Sequence, residues 1–273
     1  MQATGNNPNQ PYSLSIRLFA GGLSFFGYQP ASGRIARETY PYVEGKDRIE
    51  TLREALAQSS IARWEGNRLM TCVLTQSPAM QVPLECFRKE EAYALYRLTY
   101  SSGERNGKVY YNILPHLEIA QIFTIDNEVE KLLCQHLPGI RFYHSHTMIL
   151  EKMWMLEKQG IRQIYAYFQE KEMFVFAYQE QRLAYANSFA ADVTENAVYF
   201  LLSVWKSLEM DAHADCCVLL GEHGIKHAVA QILAKYLTHV EEIHATDIYR
   251  RSTLAKDPQI PFDLLALWVN NII

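Results

Sequence analysis

Two stretches decide the fold: Leu23-Ser24-Phe25-Phe26-Gly27-Tyr28-Gln29 and Met173-Phe174-Val175-Phe176-Ala177-Tyr178-Gln179. They lie at an offset of 173 − 23 = 150 and share an alternating pattern that ends in Tyr-Gln. Alternation with period two marks a β-strand. The surroundings repeat as well. Before the first stretch, Leu14 to Phe19 alternates too, and Ala20-Gly21-Gly22 joins the two as a hairpin. Before the second, Ile164 to Phe168 is a strand, with Glu170-Lys171-Glu172 as the turn. After them come Arg34 to Tyr40, behind a Ser32-Gly33 turn, and Arg182 to Ala186, at an offset of 182 − 34 = 148. Asp47 then opens an amphipathic helix with Ile49, Leu52, Ala55 and Leu56 on one face. Its counterpart, capped by Thr194, carries Val198, Leu201, Leu202 and Trp205. Buried strands follow at Leu69 to Leu74 and Cys216 to Leu220, with Val73-Leu74 set over Val218-Leu219 at 218 − 73 = 145. A slowly drifting offset is what a duplicated domain with altered loops leaves behind.

Each half goes on with strand, helix and strand. In the first, Ile119 to Ile125 is a strand, Asp126 caps a helix through Leu137, Pro138-Gly139 ends it, and Ile140 to His144 follows. In the second, a turn at Gly221 leads to a helix over Ile225 to Leu237 and a strand over Val240 to His244. Strands separated by single helices imply parallel crossover units. The first half carries about forty extra residues without a counterpart. They include Met80 to Phe87, a helix near Glu90 to Thr99 and a Ser/Gly/Asn loop at 101–107. A Met-rich helix, Met148 to Lys158, leads across to the second half. The organisation expected is a disordered tail at 1–11, a first domain at 12–158 with an insertion at about 75–117, and a second domain at 159–273.

The chain has 273 residues, 26 Lys plus Arg and 30 Asp plus Glu, hence a net charge of −4. That balance argues against nucleic-acid binding, which needs a basic footprint. The five cysteines, Cys72, Cys86, Cys134, Cys216 and Cys217, form no CxxC and suit free thiols in a cytoplasmic protein. The N-terminal MQATGNNPNQP lacks the features of a signal peptide. No apolar run approaches the ~20 residues of a membrane helix, and the final LLALWVNNII is too short.

Three opening strands, a helix and further β/α units, all duplicated, resemble two ribonuclease H-like domains in tandem, the actin-like ATPase fold, with a small inserted subdomain in the first half. The stretch MTCVLTQSPAMQVPLECFRKEEAYALY (70–96) is similar in layout to the type IV pilus assembly family of actin-like scaffolds. There a buried strand leads to a short motif, a "VP"-like strand and a Glu-rich helix. The whole chain also resembles a Bacteroidetes family of actin-like fold.

The resemblance implies where a nucleotide site belongs. In actin-like ATPases the first hairpin of each half carries an Asp, usually as Asp-x-Gly, that holds Mg²⁺ through water. Here Arg17 falls near the Asp position and Phe19 near the Gly. The matching segment of the second half, Tyr165-Ala166-Tyr167-Phe168-Gln169, has neither residue. Loss of both carboxylates removes the anchoring that phosphoryl chemistry needs, and argues against a ribonuclease H-type nuclease. The family's adenosine loop corresponds to Leu220-Gly221-Glu222-His223-Gly224-Ile225-Lys226-His227. Gly21, Gly22, Gly221, Gly224 and Lys226 are therefore the candidate nucleotide or anion ligands, against the plain alternative of ordinary turns.

Other patterns carry less. His223 and His227 are four apart, but no HExxH surrounds them. His144 and His146 would share a strand face, yet no third metal ligand accompanies them. Asp211, His213 and Asp215 read as a polar loop entering a strand. Three expectations follow in order. The first is a non-catalytic scaffold that binds protein partners, needs no cofactor and is compatible with a homodimer. The second is an ATP-binding switch with weak hydrolysis. The third is an enzyme of unrecognised chemistry in an inter-domain cleft.

Overall fold

A computed structural model describes residues 10–100, 107–157, 160–221 and 224–270. Residues 1–9 of the expected tail, 101–106 of the expected loop, Lys158 and His223 lie outside the described residues. The chain divides into two compact units, Met1–Leu114 with Ile119–Thr147, and Pro115–Glu118 with Met148–Ile273.

In the first unit, β1 (Tyr12–Phe19), β2 (Gly22–Gln29) and β3 (Arg34–Pro41) form an antiparallel meander. Helix α1 (Arg48–Gln58) follows, with the Asp47 side chain accepting from the Ile49 amide as its N-cap. Strand β4 (Arg68–Thr75) then lies parallel to β1. The insertion begins with β5 (Ala79–Pro83), α2 (Ala92–Thr99) and β6 (Gly107–Leu114). After it come β7 (Ile119–Asp126), α3 (Asn127–His136) and β8 (Arg141–His144), and α4 (Ser145–Trp154) begins in this unit and continues from Met148 as part of the second. The Asp126 carboxylate caps α3 through the Glu128 and Val129 amides. The main sheet has the order β3-β2-β1-β4-β8.

The second unit repeats this plan. Strands β9 (Gln163–Gln169), β10 (Glu172–Gln179) and β11 (Arg182–Ala190) form the meander, followed by α5 (Thr194–Ser207) and β12 (Cys216–Gly221). Helix α6 (Lys226–Leu233), β13 (His239–Glu242), α7 (Ala245–Ile248) and α8 (Phe262–Asn270) complete it. The sheet order, β11-β10-β9-β12-β13, is that of the first unit. The two halves thus carry the same five-stranded plan, as the expected tandem of ribonuclease H-like domains requires.

The two cores correspond face for face. Leu14, Ile16, Leu23, Phe25 and Val73 pack under Leu52, Ala55 and Leu56 of α1. Ile164, Ala166, Met173, Val175 and Leu219 pack under Val198, Leu201, Val204 and Trp205 of α5. Each such aliphatic or aromatic side chain contributes about 1.5–3 kcal/mol on burial.

Registers correct one expected alignment. Val73 pairs with Ile16, and Leu219 pairs with Ala166. Ile16 and Ala166 are equivalent, because Phe25 faces one and Val175 the other. The offset at β4 is therefore 219 − 73 = 146, not 145. A one-residue slip turns every side chain to the opposite face, and only 146 puts Val73 and Leu219 both in the core.

Three local expectations also change. Thr194 is the first residue of α5 and not its cap; Val193 is the N-cap and makes no side-chain bond. The helices expected at Ile225–Leu237 and Met148–Lys158 are α6 and α4, at Lys226–Leu233 and Ser145–Trp154. Finally, β7 does not join the main sheet. It is the middle strand of a small antiparallel sheet, β5-β7-β6, whose other face carries Val82, Ile122, Ala92 and Tyr96. The crossover from β4 to β8 therefore contains the whole insertion as well as α3, and the inserted sheet runs on to Asp126.

Candidate functional site

In open parallel sheets ligands gather at the carboxyl ends of the strands. In the first unit that edge carries the β1–β2 hairpin. Ala20 and Gly21 form its turn, and Gly22 already pairs with Phe19. Gly21 is exposed, and its carbonyl oxygen accepts from the Tyr42 amide at 2.9 Å. Gly22 has a different reason to be glycine. A Cβ there would strike the Tyr40 carbonyl oxygen and stand 2.9 Å from the Pro41 Cα. Arg17, which the resemblance sets near the Asp position of actin-like ATPases, is buried, pairs across the hairpin with Ser24, and has its guanidinium 5.8 Å from the centre of the Phe19 ring.

In the second unit the equivalent residues are Tyr167 and Gln169. The Gln169 amide nitrogen donates to the Tyr167 hydroxyl at 3.2 Å and to Asp263 Oδ2 at 3.1 Å. Asp263 is 0% exposed, and its Oδ1 accepts from the Leu264 amide at 2.9 Å. This carboxylate comes from α8, far along the chain, and the sequence reading missed it. It is the one charge within the apolar run FDLLALW, which was a usable signal. At the turn, Glu170 adopts φ 52, and the Glu172 carboxyl is pushed up by burial and by the neighbouring Glu170 charge.

The turn after β12 holds the other candidates. Gly221 has φ 95, and a Cβ on it would collide with the Phe168 carbonyl oxygen on β9. Its lack of a side chain is therefore a condition of β9–β12 pairing. Gly224 is exposed with open space around its Cβ position. Lys226 begins α6 and is buried, its Nζ 3.4 Å from the Ile243 carbonyl oxygen. Gly221, Gly224 and Lys226 thus share one strand-to-helix junction, and Gly21 and Gly22 share one hairpin in the other unit.

The histidine pair behaves differently from its sequence reading. His144 ends β8 while His146 lies in the first turn of α4, so they straddle a junction and do not share a strand face. Both are buried, with ring centres 4.5 Å apart. His144 Nε2 lies 2.7 Å from the Ser77 carbonyl oxygen, which can only accept, so the proton sits on Nε2. Nδ1 then accepts from the His146 amide at 3.2 Å and from Gln121 Nε2 at 3.3 Å. Gln121 is oriented by Gln81, which donates to its Oε1 at 3.0 Å. With both ring nitrogens engaged, His144 is a structural pivot and not a ligand. Burial, and then the His144 ring, hold His146 well below the ordinary imidazole range. Among the described residues no group of three or more His, Cys, Asp or Glu is arranged to hold a metal.

His227 meets Glu242 at 2.8 Å and Gln231 at 3.0 Å on the surface. Asp211 accepts from the amides of His213 and Ala214, which keep its carboxyl below the usual range. Both are local polar clusters. No described helix is long and apolar enough to cross a membrane.

The chain is similar over 95% of its length, at 25% identity and TM-score 0.80, to a Bacteroides thetaiotaomicron protein described as having an actin-like ATPase fold and unknown function; 96% of that chain is covered. It is also similar in fold to a chain of the PilM-PilN type IV pilus biogenesis complex, with 12% identity, TM-score 0.54, and 93% and 96% of the two chains covered. No curated protein matches the chain. Residues 3–240 match the family described as "Protein of unknown function (DUF3822)", and the chain belongs to that family.

Proposed function

We propose that this protein is a non-catalytic actin-like scaffold that binds a protein partner, its nucleotide site being degenerate in both units. One observation carries the reading. The resemblance puts the fold's metal-binding Asp positions near Arg17 in the first hairpin and, through the matching strand pairing, near Tyr167 in the second; neither residue is a carboxylate, and the second hairpin is backed by the buried Asp263 carboxylate. An arginine repels a divalent cation, and a buried carboxylate repels a phosphate. The similarity in fold to a chain of the PilM-PilN complex, a protein assembly, supports the partner-binding part.

An ATP-binding switch is the second reading, favoured by the exposed Gly21 and Gly224 and by Lys226 at the start of α6. Thermal unfolding of the full chain with millimolar Mg-ATP separates the two. A ligand at 100 times its Kd stabilises by about 2.7 kcal/mol, so the scaffold reading expects no shift in Tm. A shift abolished by Gly224→Trp would establish the switch, since a side chain at Gly224 meets open space and leaves the fold intact. For the scaffold itself, native pull-down is expected to recover a stoichiometric protein, and failure to do so counts against it.

A further inference from the structure

We propose that the outer edge of β11, together with the flank of α5 beside it, is the interface of a two-fold dimer of this chain. The edges of the two five-stranded sheets are β3, β8, β11 and β13. An exposed strand edge is a template for pairing with another chain, and proteins blunt it with charge, proline or brevity. Strand β3 carries Arg34, Arg37, Glu38 and Pro41. Strands β8 and β13 have four residues each, the first opening on Arg141 and the second ending in Glu241 and Glu242. Strand β11 has nine residues, and from Leu183 to Ala190 it holds neither a charge nor a proline. Its pairing with β10 shifts register between Ala177 and Tyr178, so the regular edge runs from Tyr185 to Ala190.

The ladder fixes which groups face outward. The Ala191 amide donates inward to the Lys171 carbonyl oxygen, so by alternation Ala186, Ser188 and Ala190 turn their backbone groups away from β10. The Ser188 amide accordingly donates to Asn187 Oδ1 at 2.9 Å and to no strand. A carbonyl from a second β11 can replace that acceptor one for one. Antiparallel pairing centred on Ser188 sets Ser188 against its own copy, Ala186 against Ala190 and Asn187 against Phe189. Small side chains then meet on one face, and no charge is brought against its like.

Helix α5 supplies an independent observation. Phe200 stacks on Phe189 of β11 with ring centres 4.6 Å apart, which turns that flank of the helix toward the edge. Val193, Asn196, Phe200, Ser203 and Ser207 follow at steps of three and four, the spacing of a helix–helix seam, and none is charged. Val193 is 44% exposed, and Asn196, Ser203 and Ser207 are exposed as well. Glu195 and Lys206 fall on the other flank, with Leu202. A second copy is the occupant that covers both features at once. A strand edge alone falls short of the about 800 Å² per partner of a stable interface, and an extended peptide on β11 would leave the α5 seam open. Rotation about a two-fold axis at Ser188 adds β11 to β11 and brings α5 to α5, joining two five-stranded sheets into one. The assembly requires neither a nucleotide nor another protein.

Sedimentation velocity of the full chain tests the dimer, which is expected at micromolar concentration. Ser188→Pro removes an outward amide and no bond of the β10–β11 ladder, and is expected to raise the dissociation constant at least about tenfold. Asn196→Glu combined with Ser203→Glu sets like charges across the seam from exposed positions, and is expected to do the same with an unchanged far-ultraviolet circular dichroism spectrum. Lys206→Glu, on the other flank, is expected to leave the dimer intact. Should Ser188→Pro fail to fold, the paired glutamates decide alone. A native chain that stays monomeric up to about 100 μM overturns the inference, even if that monomer takes up another protein's strand on β11. A dimer that survives the folded variants overturns it too.

Discussion

The two units solve the same packing problem with glycine at different places. The first needs Gly22 at the foot of β2, where the β3 backbone passes too close for a side chain. The equivalent residue in the second, at 22 + 150, is Glu172, and it is accommodated against Ala190. Conversely, the second needs Gly221 at the end of β12, whereas the first, at 221 − 146, carries Thr75. A pair of glycine-rich loops kept for one phosphate chain would place glycine by what the ligand requires. Here each of these two glycines is explained by the approach of its own unit's backbone. The contrast separates Gly22 and Gly221 from Gly21 and Gly224, which have no such internal reason.

The largest effect that tests this contrast is at β12. Gly221→Ala forces a Cβ against the Phe168 carbonyl and a left-handed φ on alanine. A loss of about 2–4 kcal/mol is expected by urea unfolding. Thr75→Gly, the reciprocal change, is expected to cost only about 1 kcal/mol. Equal costs for the two would erase the distinction between the units.

His144 comes next, because its positional counterpart in the second unit, His244, lies beyond β13, exposed, as the N-cap of α7 and so does not repeat its buried role. Replacing His144 with Ala strands the Ser77 carbonyl, the Gln121 amide and the His146 amide inside the first unit. About 2–3 kcal/mol is expected to be lost, with amide exchange faster in β8 than in β12. Unchanged protection in β8 would remove the pivot role.

His146 sets a pH signature. Its folded form resists protonation, while the unfolded chain takes up a proton below about 6.5. Its contribution is therefore complete above that pH and is lost as pH falls below it, by at most about 1.4 kcal/mol per pH unit. Unfolding free energies measured between pH 7.5 and 5.5 are expected to fall more steeply for the native chain than for His146→Asn. Parallel slopes would show that this imidazole is not the group responsible.

The smallest effect is a gain. The β10–β11 turn holds Glu180 at φ 51 and Gln181 at φ 63, while the first unit has Gly33 at the place equivalent to Gln181 (181 − 148). Gln181→Gly relieves a left-handed conformation and keeps the backbone carbonyl that accepts from Trp154 Nε1. It is expected to raise stability by about 0.5–1 kcal/mol, read as a higher Tm. A fall in Tm would mean that the Gln181 side chain contributes packing that outweighs the strain.

Periodicity and caps were legible without coordinates. The alternation in β2 and β10 and the Asp47 and Asp126 caps depend on neighbours a few residues away, so the sequence alone identifies them. The duplication was legible for the same reason, repeated twice. Matching letters, however, misled at β4: Val-Leu over Val-Leu aligned identities and not faces, and only pairing with β1 and β9 fixed the parity. The place of β7 was equally hidden, since a strand beside a helix reads the same whichever sheet receives its hydrogen bonds. The reason for Gly221, the tautomer of His144 and the meeting of Asp263 with Gln169 all arise from atoms brought together across 53 to 94 positions of chain. Local chemistry determined which elements form and that they come twice. Non-local hydrogen bonding and close backbone approach decided which face each strand turns inward and what the candidate residues touch, because those choices depend on partners that no short window of sequence contains.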